Sequence, residues 1–229
     1  MSGDRPPGGS ARRVFRPATG VLAVALALTA CGSGTVRTSG EPTGGPPLTI
    51  GISLSQTGEF ADPGRAAERG YELWAKVVNK RGGVLGRKVE LKIIDDASRP
   101  DQAAANYETL ISTDRVDLVF GPFSSRLTIP ASQVAARHRY AFLEPAGGGP
   151  KVFEQHLSNL FFVQPAPVVK QGEVFADFVL SLPPAQRPRT AAYPALDDPF
   201  AAPIADHVRA TFEAAGIRTV YAKVYPAGT

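Results

Sequence analysis

The chain has 229 residues, 43% of them apolar, enough for one or two domains with real cores. Its formal charge is +4, but Arg5, Arg12, Arg13 and Arg16 against Asp4 put +3 of that in the first thirty residues and leave +1 for the remainder, so no nucleic-acid partner or acidic surface is implied. Cys31 is the single cysteine, so no internal disulfide forms and the fold stands on packing.

Residues 1–20 are rich in Pro, Gly and Arg, and Val21 to Ala30 is an apolar run of ten residues. That is half of what a bilayer-spanning helix needs. A basic start, a short apolar stretch and small residues at its end describe a secretory signal peptide over residues 1–30, removed on export. Leu28-Thr29-Ala30-Cys31 resembles the bacterial lipobox, in which the cysteine is acylated and becomes the new N-terminus, so Cys31 is the expected lipidation site. Arg12-Arg13-Val14-Phe15 fits either a twin-arginine export signal or an ordinary Sec-type start with adjacent arginines. Residues 31–47 are mostly Gly, Pro, Ser and Thr, too polar to fold, and read as a tether spanning roughly 20–25 Å. A lipidated cysteine on such a tether describes a protein anchored to a membrane rather than crossing it.

From Leu48 onward strands and helices alternate. Leu48 to Leu54 is apolar at both parities, as a strand covered on both faces should be, and Ser55-Gln56-Thr57-Gly58 is its turn. Arg65 to Lys80 is a predicted helix whose inward face carries Ala66, Ala67, Gly70, Leu73, Trp74, Val77 and Val78, with Trp74 in the core. Gly82 to Gly86 lacks the lysine and following helix of a phosphate loop and is a connector. Val89 to Ile94 is the second strand, closed by Asp95-Asp96, a pair read as solvated acids at a strand end rather than metal ligands.

Asp101 to Thr113 is a predicted helix with Ala104, Tyr107, Leu110 and Ile111 on one face, and Val116 to Phe120 is a buried strand. The turn Gly121-Pro122-Phe123-Ser124-Ser125 leads into a helix from Leu127 to about Arg137. Tyr140 to Leu143 is a fourth strand, ending in the flexible loop Glu144 to Pro150. The prolines of Leu160 to Pro167 suit a crossing between units better than a central strand. Val168 to Ser181 should be a helix with Val169, Val174, Phe175 and Phe178 inward, followed by a strand over Arg189 to Leu196 in which Pro194 is awkward. Asp197 to Phe200 turns into a helix from Ile204 to Ala215, capped by Gly216, and Ile217 to Tyr225 is the last strand. The βαβ alternation implies an α/β fold with doubly wound parallel sheets, in which ligands bind beyond the carboxyl ends of the strands.

Three loops leave that edge: Ser55 to Gly58, Ser124 to Ser125, and Glu144 to Gly149. Ser124 and Ser125 either cap their helix or offer hydroxyls and unpaired N–H groups to a carboxylate. Glu144 is either a solvated strand end or the acid that takes a ligand's ammonium. A triad of Ser124 or Ser125 with His138 and Asp117 is disfavoured, because His138 lies at the far end of a helix leading away from the edge. The three histidines are scattered and no dinucleotide fingerprint follows the first strand, so no enzyme activity, zinc site or cofactor is expected.

The order of Ile50-Gly-Ile-Ser-Leu-Ser-Gln-Thr-Gly58, Asn79-Lys-Arg-Gly-Gly-Val-Leu-Gly-Arg87, Asp95-Asp96, Gly121-Pro-Phe-Ser-Ser125 and Asp197-Asp198-Pro-Phe200 resembles the branched-chain amino-acid type of periplasmic binding protein. These are extracytoplasmic receptors of ABC importers, in bacteria often lipoproteins. The resemblance implies two α/β lobes of the type I periplasmic fold, residues 48–164 and 165–229, with an amino-acid-like ligand in the cleft and closure by hinge motion. An ABC permease is the implied partner. By position Ser124, Ser125, Ala146 and Gly148 match first-lobe pocket residues, Gly147 lies in the same pocket loop, and Phe200 matches an aromatic of the second lobe. Gly148 has no hydroxyl where many amino-acid binders carry one, and Pro63 lies near where some relatives carry a pocket aromatic. With about two strands the second lobe is incomplete, as in a C-terminally truncated chain or a remnant. A ligand-sensing extracellular domain of a signalling receptor is the alternative that shares this fold.

Overall fold

The computed structural model describes residue 42 and residues 44–226. The expected signal peptide, Cys31 and the twin-arginine pair lie outside the described residues, as does most of the tether. Seven strands and six α-helices follow in order: β1 (Leu48–Leu54), α1 (Ala61–Lys80), β2 (Val89–Asp95), α2 (Pro100–Glu108), β3 (Leu118–Phe120), α3 (Ser125–Arg137), β4 (Phe142–Glu144), α4 (Pro150–Phe153), β5 (Leu160–Phe162), α5 (Val169–Ser181), β6 (Thr190–Leu196), α6 (Ala201–Ala214) and β7 (Arg218–Tyr225). A π-helical turn, Thr109–Thr113, prolongs α2.

Five strands form one parallel sheet in the order β2-β1-β3-β4-β5, and β6 and β7 form a second, parallel pair. Strand β1 sends Leu48, Ile50, Ile52 and Leu54 to the face covered by α1, where Ala75, Val89 and Trp74 pack on them. Its other face carries Gly51 against Leu110 and Val116. There α2 and α3 supply Tyr107, Leu110, Ala131, Val134 and Ala135, which close over Val119 and Phe142. The order reverses between β1 and β3, and such a switch point opens a crevice above the strand ends.

Several expectations change once partners are known. Helix α1 starts four residues earlier than the periodicity suggests, because Pro63 sits in its first turn, where a missing N–H costs nothing. Its inward face is Gly64, Ala67, Tyr71, Trp74, Ala75 and Val78, while Leu73 is 62% exposed. Residues Leu160–Phe162 form an edge strand on β4, since Pro165 and Pro167 fall beyond the paired residues. In α5 the inward side is Gly172, Ala176 and Val179, facing Val208 and Ile204 of α6. Val174, Phe175 and Phe178, expected inside, are exposed. Pro194 does lie in β6, a strand paired on one side only among the described residues, where a proline is tolerated.

The acid pair after β2 is structural. Asp96 is fully buried rather than solvated, and accepts from Ser53 Oγ at 3.0 Å, Ser55 Oγ at 2.5 Å and Ser98 N at 2.9 Å. Burial pushes its carboxyl up, against the pull of those donors. Asp95 accepts from Gln56 N at 2.8 Å and Thr57 Oγ1 at 2.7 Å. Together they pin the loop that carries Glu59 and Phe60 toward the strand ends.

Candidate functional site

A cavity of about 300 Å³ opens at the carboxyl ends of the strands. The β1–α1 loop contributes Glu59 and Phe60, the β3–α3 turn Phe123 and Ser124, and the loop after β4 Ala146. Gln164 borders it from the segment between β5 and α5, Gln171 from the first turn of α5, and the second sheet and the turn after it add Leu196, Asp198, Phe200 and Ala201.

Its aromatic side is held in place by charge. The rings of Phe60 and Phe123 meet edge to face at 5.8 Å. The Arg126 guanidinium lies 4.6 Å above Phe60 and pairs with Glu59 at 2.7 Å. Across the cavity, Asp198 Oδ1 accepts from the N–H groups of Phe200 at 2.8 Å and Ala201 at 3.2 Å, which fixes the start of α6 and with it the Phe200 ring.

The two serines of the turn part company. Neither makes a capping hydrogen bond to α3. Ser124 has φ +89°, a left-handed value that a non-glycine residue adopts only under constraint, and its buried Oγ has no hydrogen-bond partner among the described residues. This residue lines the cavity at the N-terminus of α3. Ser125 is fully buried, does not line the cavity, and its Oγ accepts from Gly149 N at 2.8 Å.

Glu144 also stands behind the wall. It is fully buried, so the solvated strand end expected as one possibility is not found. Thr128 Oγ1 donates to its Oε2 at 2.6 Å, while the N–H groups of Ala146, at 2.6 Å, and Gly147 converge on Oε1. Burial lifts its pKa to about 7, against the downward pull of those three donors. A Cβ at Gly121 would overlap Glu144 Oε2, and one at Gly147 would overlap Thr128 Oγ1. Gly148 has no room for a side chain either, with Val168 Cγ1 2.7 Å from where its Cβ would be.

Of the residues singled out from the sequence, Ser124, Ala146 and Phe200 line the cavity, while Ser125, Glu144, Gly147 and Gly148 build what lies behind it. Pro63 does not line the cavity, and Phe60, three residues earlier, does. Gln164 and Gln171 were not anticipated, and the one available signal is that Gln164 immediately precedes the proline crossing Pro165 to Pro167. His138 bonds Glu108 at 2.8 Å, on the α2 side of the sheet. Among the described residues no group of three or more His, Cys, Asp or Glu is placed to hold a metal, and no helix is long and apolar enough to cross a membrane.

A switch-point crevice walled by aromatic rings, amides and a helix N-terminus is the architecture of a ligand-binding α/β protein. The chain belongs to the periplasmic binding protein family, whose model matches residues 47–229. That family consists of extracytoplasmic solute-binding proteins rather than enzymes. An amino acid binding protein of Pseudomonas aeruginosa is 31% identical over 173 residues, 76% of this chain and 45% of its own. A Leu/Ile/Val-binding protein homologue of Brucella abortus is 38% identical over 114 residues, 50% of this chain and 30% of its own. Among solved structures, the branched-chain amino acid transporter substrate-binding protein LivJ of Streptococcus pneumoniae, in complex with isoleucine, superposes with a TM-score of 0.70 at 22% identity, over 80% of this chain and 51% of that one. A solute-binding protein of an ABC transporter from Rhodopseudomonas palustris, in complex with 3,4-dihydroxybenzoic acid, gives 0.70 at 19% identity, over 79% and 47%. The chain thus spans about a third to a half of the length of the relatives it matches.

Proposed function

We propose that the chain serves as an extracytoplasmic solute-binding lipoprotein of an ABC importer, taking an amino acid or a related small polar molecule in the cavity between its two sheets. In this reading residues 48–164 and 165–229 are the two lobes, and the ligand is handed to a membrane permease. Ser124 carries the reading: a buried hydroxyl with no partner among the described residues, on the cavity wall at a helix N-terminus. That combination suits a carboxylate. The second carboxylate oxygens of Asp198 and Glu59 suit an ammonium, and Phe60, Phe123, Phe200 and Leu196 suit an apolar body. The cavity's 300 Å³ falls at the small end of ligand sites, and the names of the relatives support an amino acid.

Titration calorimetry of the full chain with the common amino acids and small amides tests the proposal. Saturable heat from at least one aliphatic or aromatic amino acid is expected, and heat from none of them overturns it. The anchor is tested separately: radiolabelled palmitate should be incorporated by the wild-type chain and not by Cys31→Ser, and equal labelling of both refutes lipidation at Cys31.

A further inference from the structure

Glu144 has no place in the binding scheme above, yet it is the most constrained ionisable group near the cavity. It ends β4, and its two oxygens accept from three groups on two elements of the wall: Thr128 of α3, and the N–H groups of Ala146 and Gly147 in the loop that borders the ligand space. Two glycines leave the room it occupies. Thr128 is the informative neighbour. Its Oγ1 lies 2.6 Å from Glu144 Oε2 and 3.0 Å from the carbonyl of Ser124, and a hydroxyl has one proton to give.

We propose that Glu144 is the positioning residue of the cavity wall, coupling its own protonation through Thr128 to the backbone of Ser124. When Glu144 is ionised it draws the Thr128 proton, and the Ser124 carbonyl keeps only the N–H groups of Leu127 at 3.2 Å and Thr128 at 3.0 Å. When Glu144 takes a proton from solvent, its new O–H donates to Thr128 Oγ1, which turns its own proton to the Ser124 carbonyl. Ser124 is the cavity residue with the strained φ, so the extra bond falls on the turn that presents its hydroxyl.

The surroundings allow this exchange near neutrality. The titratable groups facing Glu144 are Tyr71 of α1, whose hydroxyl donates to the Gly121 carbonyl at 2.9 Å, and Tyr107 of α2, whose hydroxyl donates to the Phe120 carbonyl at 2.5 Å. Both are pushed up, by burial first and also by Glu144 itself, and Asp96 adds to the effect on Tyr107. Among the described residues no Lys, Arg or His contributes to the environment of Glu144; its three hydrogen-bond donors favour the charged form, burial outweighs them, and its titration falls at about 7.

The inference rests on the binding reading for its consequence, not for its geometry, and the test separates the two. In the ¹⁵N-labelled full chain, the amides of Ala146, Gly147 and Ser124 should share one titration midpoint near neutral pH, absent in Glu144→Gln. In Thr128→Val the midpoint should persist at Ala146 and Gly147 and vanish at Ser124, which a merely structural glutamate would not produce. A Ser124 amide that ignores pH in the wild type, or titrates equally in Thr128→Val, overturns the proposal. With L-leucine as probe, wild-type affinity should fall about fivefold between about pH 5.5 and about pH 8.5, the worth of one hydrogen bond, and stay level in Glu144→Gln. If leucine binds at no pH, the binding reading fails for that ligand, and the amide titrations still decide the role of Glu144.

Discussion

Replacing the two neighbouring serines separately should shift stability and affinity in opposite directions. Ser124→Ala deletes a buried hydroxyl that has no partner among the described residues. A buried polar group left unpaired costs about 1–3 kcal/mol, so its removal should stabilise the ligand-free chain by about 1 kcal/mol. The strain at φ +89° is unrelieved, since alanine adopts that backbone no more readily. The same change removes a hydrogen bond to a charged ligand group, worth about 1.5–3 kcal/mol, and should weaken leucine binding by about ten- to a hundredfold. Ser125→Ala works the other way: it strips the buried Gly149 N–H of its acceptor at 2.8 Å and should cost about 1–3 kcal/mol of stability. Urea unfolding followed through Trp74, the chain's one tryptophan, measures the first quantity, and calorimetric titration the second. If Ser124→Ala loses a kilocalorie or more of stability, or binds leucine as the wild type does, Ser124 belongs to the fold and the carboxylate site is wrong.

Glu144 makes a further prediction through pH. Its folded pKa of about 7 lies above the ordinary 4.5, so the folded chain holds this proton more tightly than the unfolded one. The stability it contributes is present below pH 4.5 and lost as pH rises through 7, a change of about 3 kcal/mol. Glu144→Gln should therefore gain about that much relative to wild type across the interval in denaturant melts, and a pH-independent difference would show that the carboxyl titrates normally. Gly64→Ala should cost about 1–3 kcal/mol, because a Cβ there overlaps the Ser55 carbonyl and backbone must move; a melting temperature equal to wild type would contradict the close packing of α1 on β1. At Gly149 a Cβ would overlap the Pro199 carbonyl across the cavity's edge and sit 2.8 Å from Ser125 Oγ. Gly149→Ala should thus lower leucine affinity more than it lowers stability, and the reverse ranking would count against a ligand site at that edge.

Secondary structure was legible because its causes are local. The β1 pattern LTIGISL, the turn at Ser55 to Gly58 and the βαβ order follow from side-chain periodicity and turn chemistry, and each appears where the residues put it. Inward faces were less legible wherever the helix partner was small. In α5 the large residues Val174, Phe175 and Phe178 draw the eye, yet close approach to α6 needs Gly172 and Ala176 at the contact. Gln164 carries only the weak signature of its place before the proline crossing, and Gln171 carries none, since a glutamine in the first turn of a helix looks like any surface residue.

By itself, then, the sequence determined the class: alternating strands and helices, and a serine turn at the strand edge, in the motif order of the periplasmic binding family. Only the tertiary structure decided how adjacent residues divide the work there. Ser124 and Ser125 are chemically identical, and the left-handed φ of Ser124 places it on the cavity wall while Ser125 ties the loop behind. Glu144 is a carboxyl at a strand end in the sequence, and becomes a buried, near-neutral clasp because Thr128 of α3 and Gly121 of the turn after β3 close on it while Gly147 of its own loop leaves it room. Direction and burial are set by dihedrals and by distant neighbours, and neither is written in the identity of a residue.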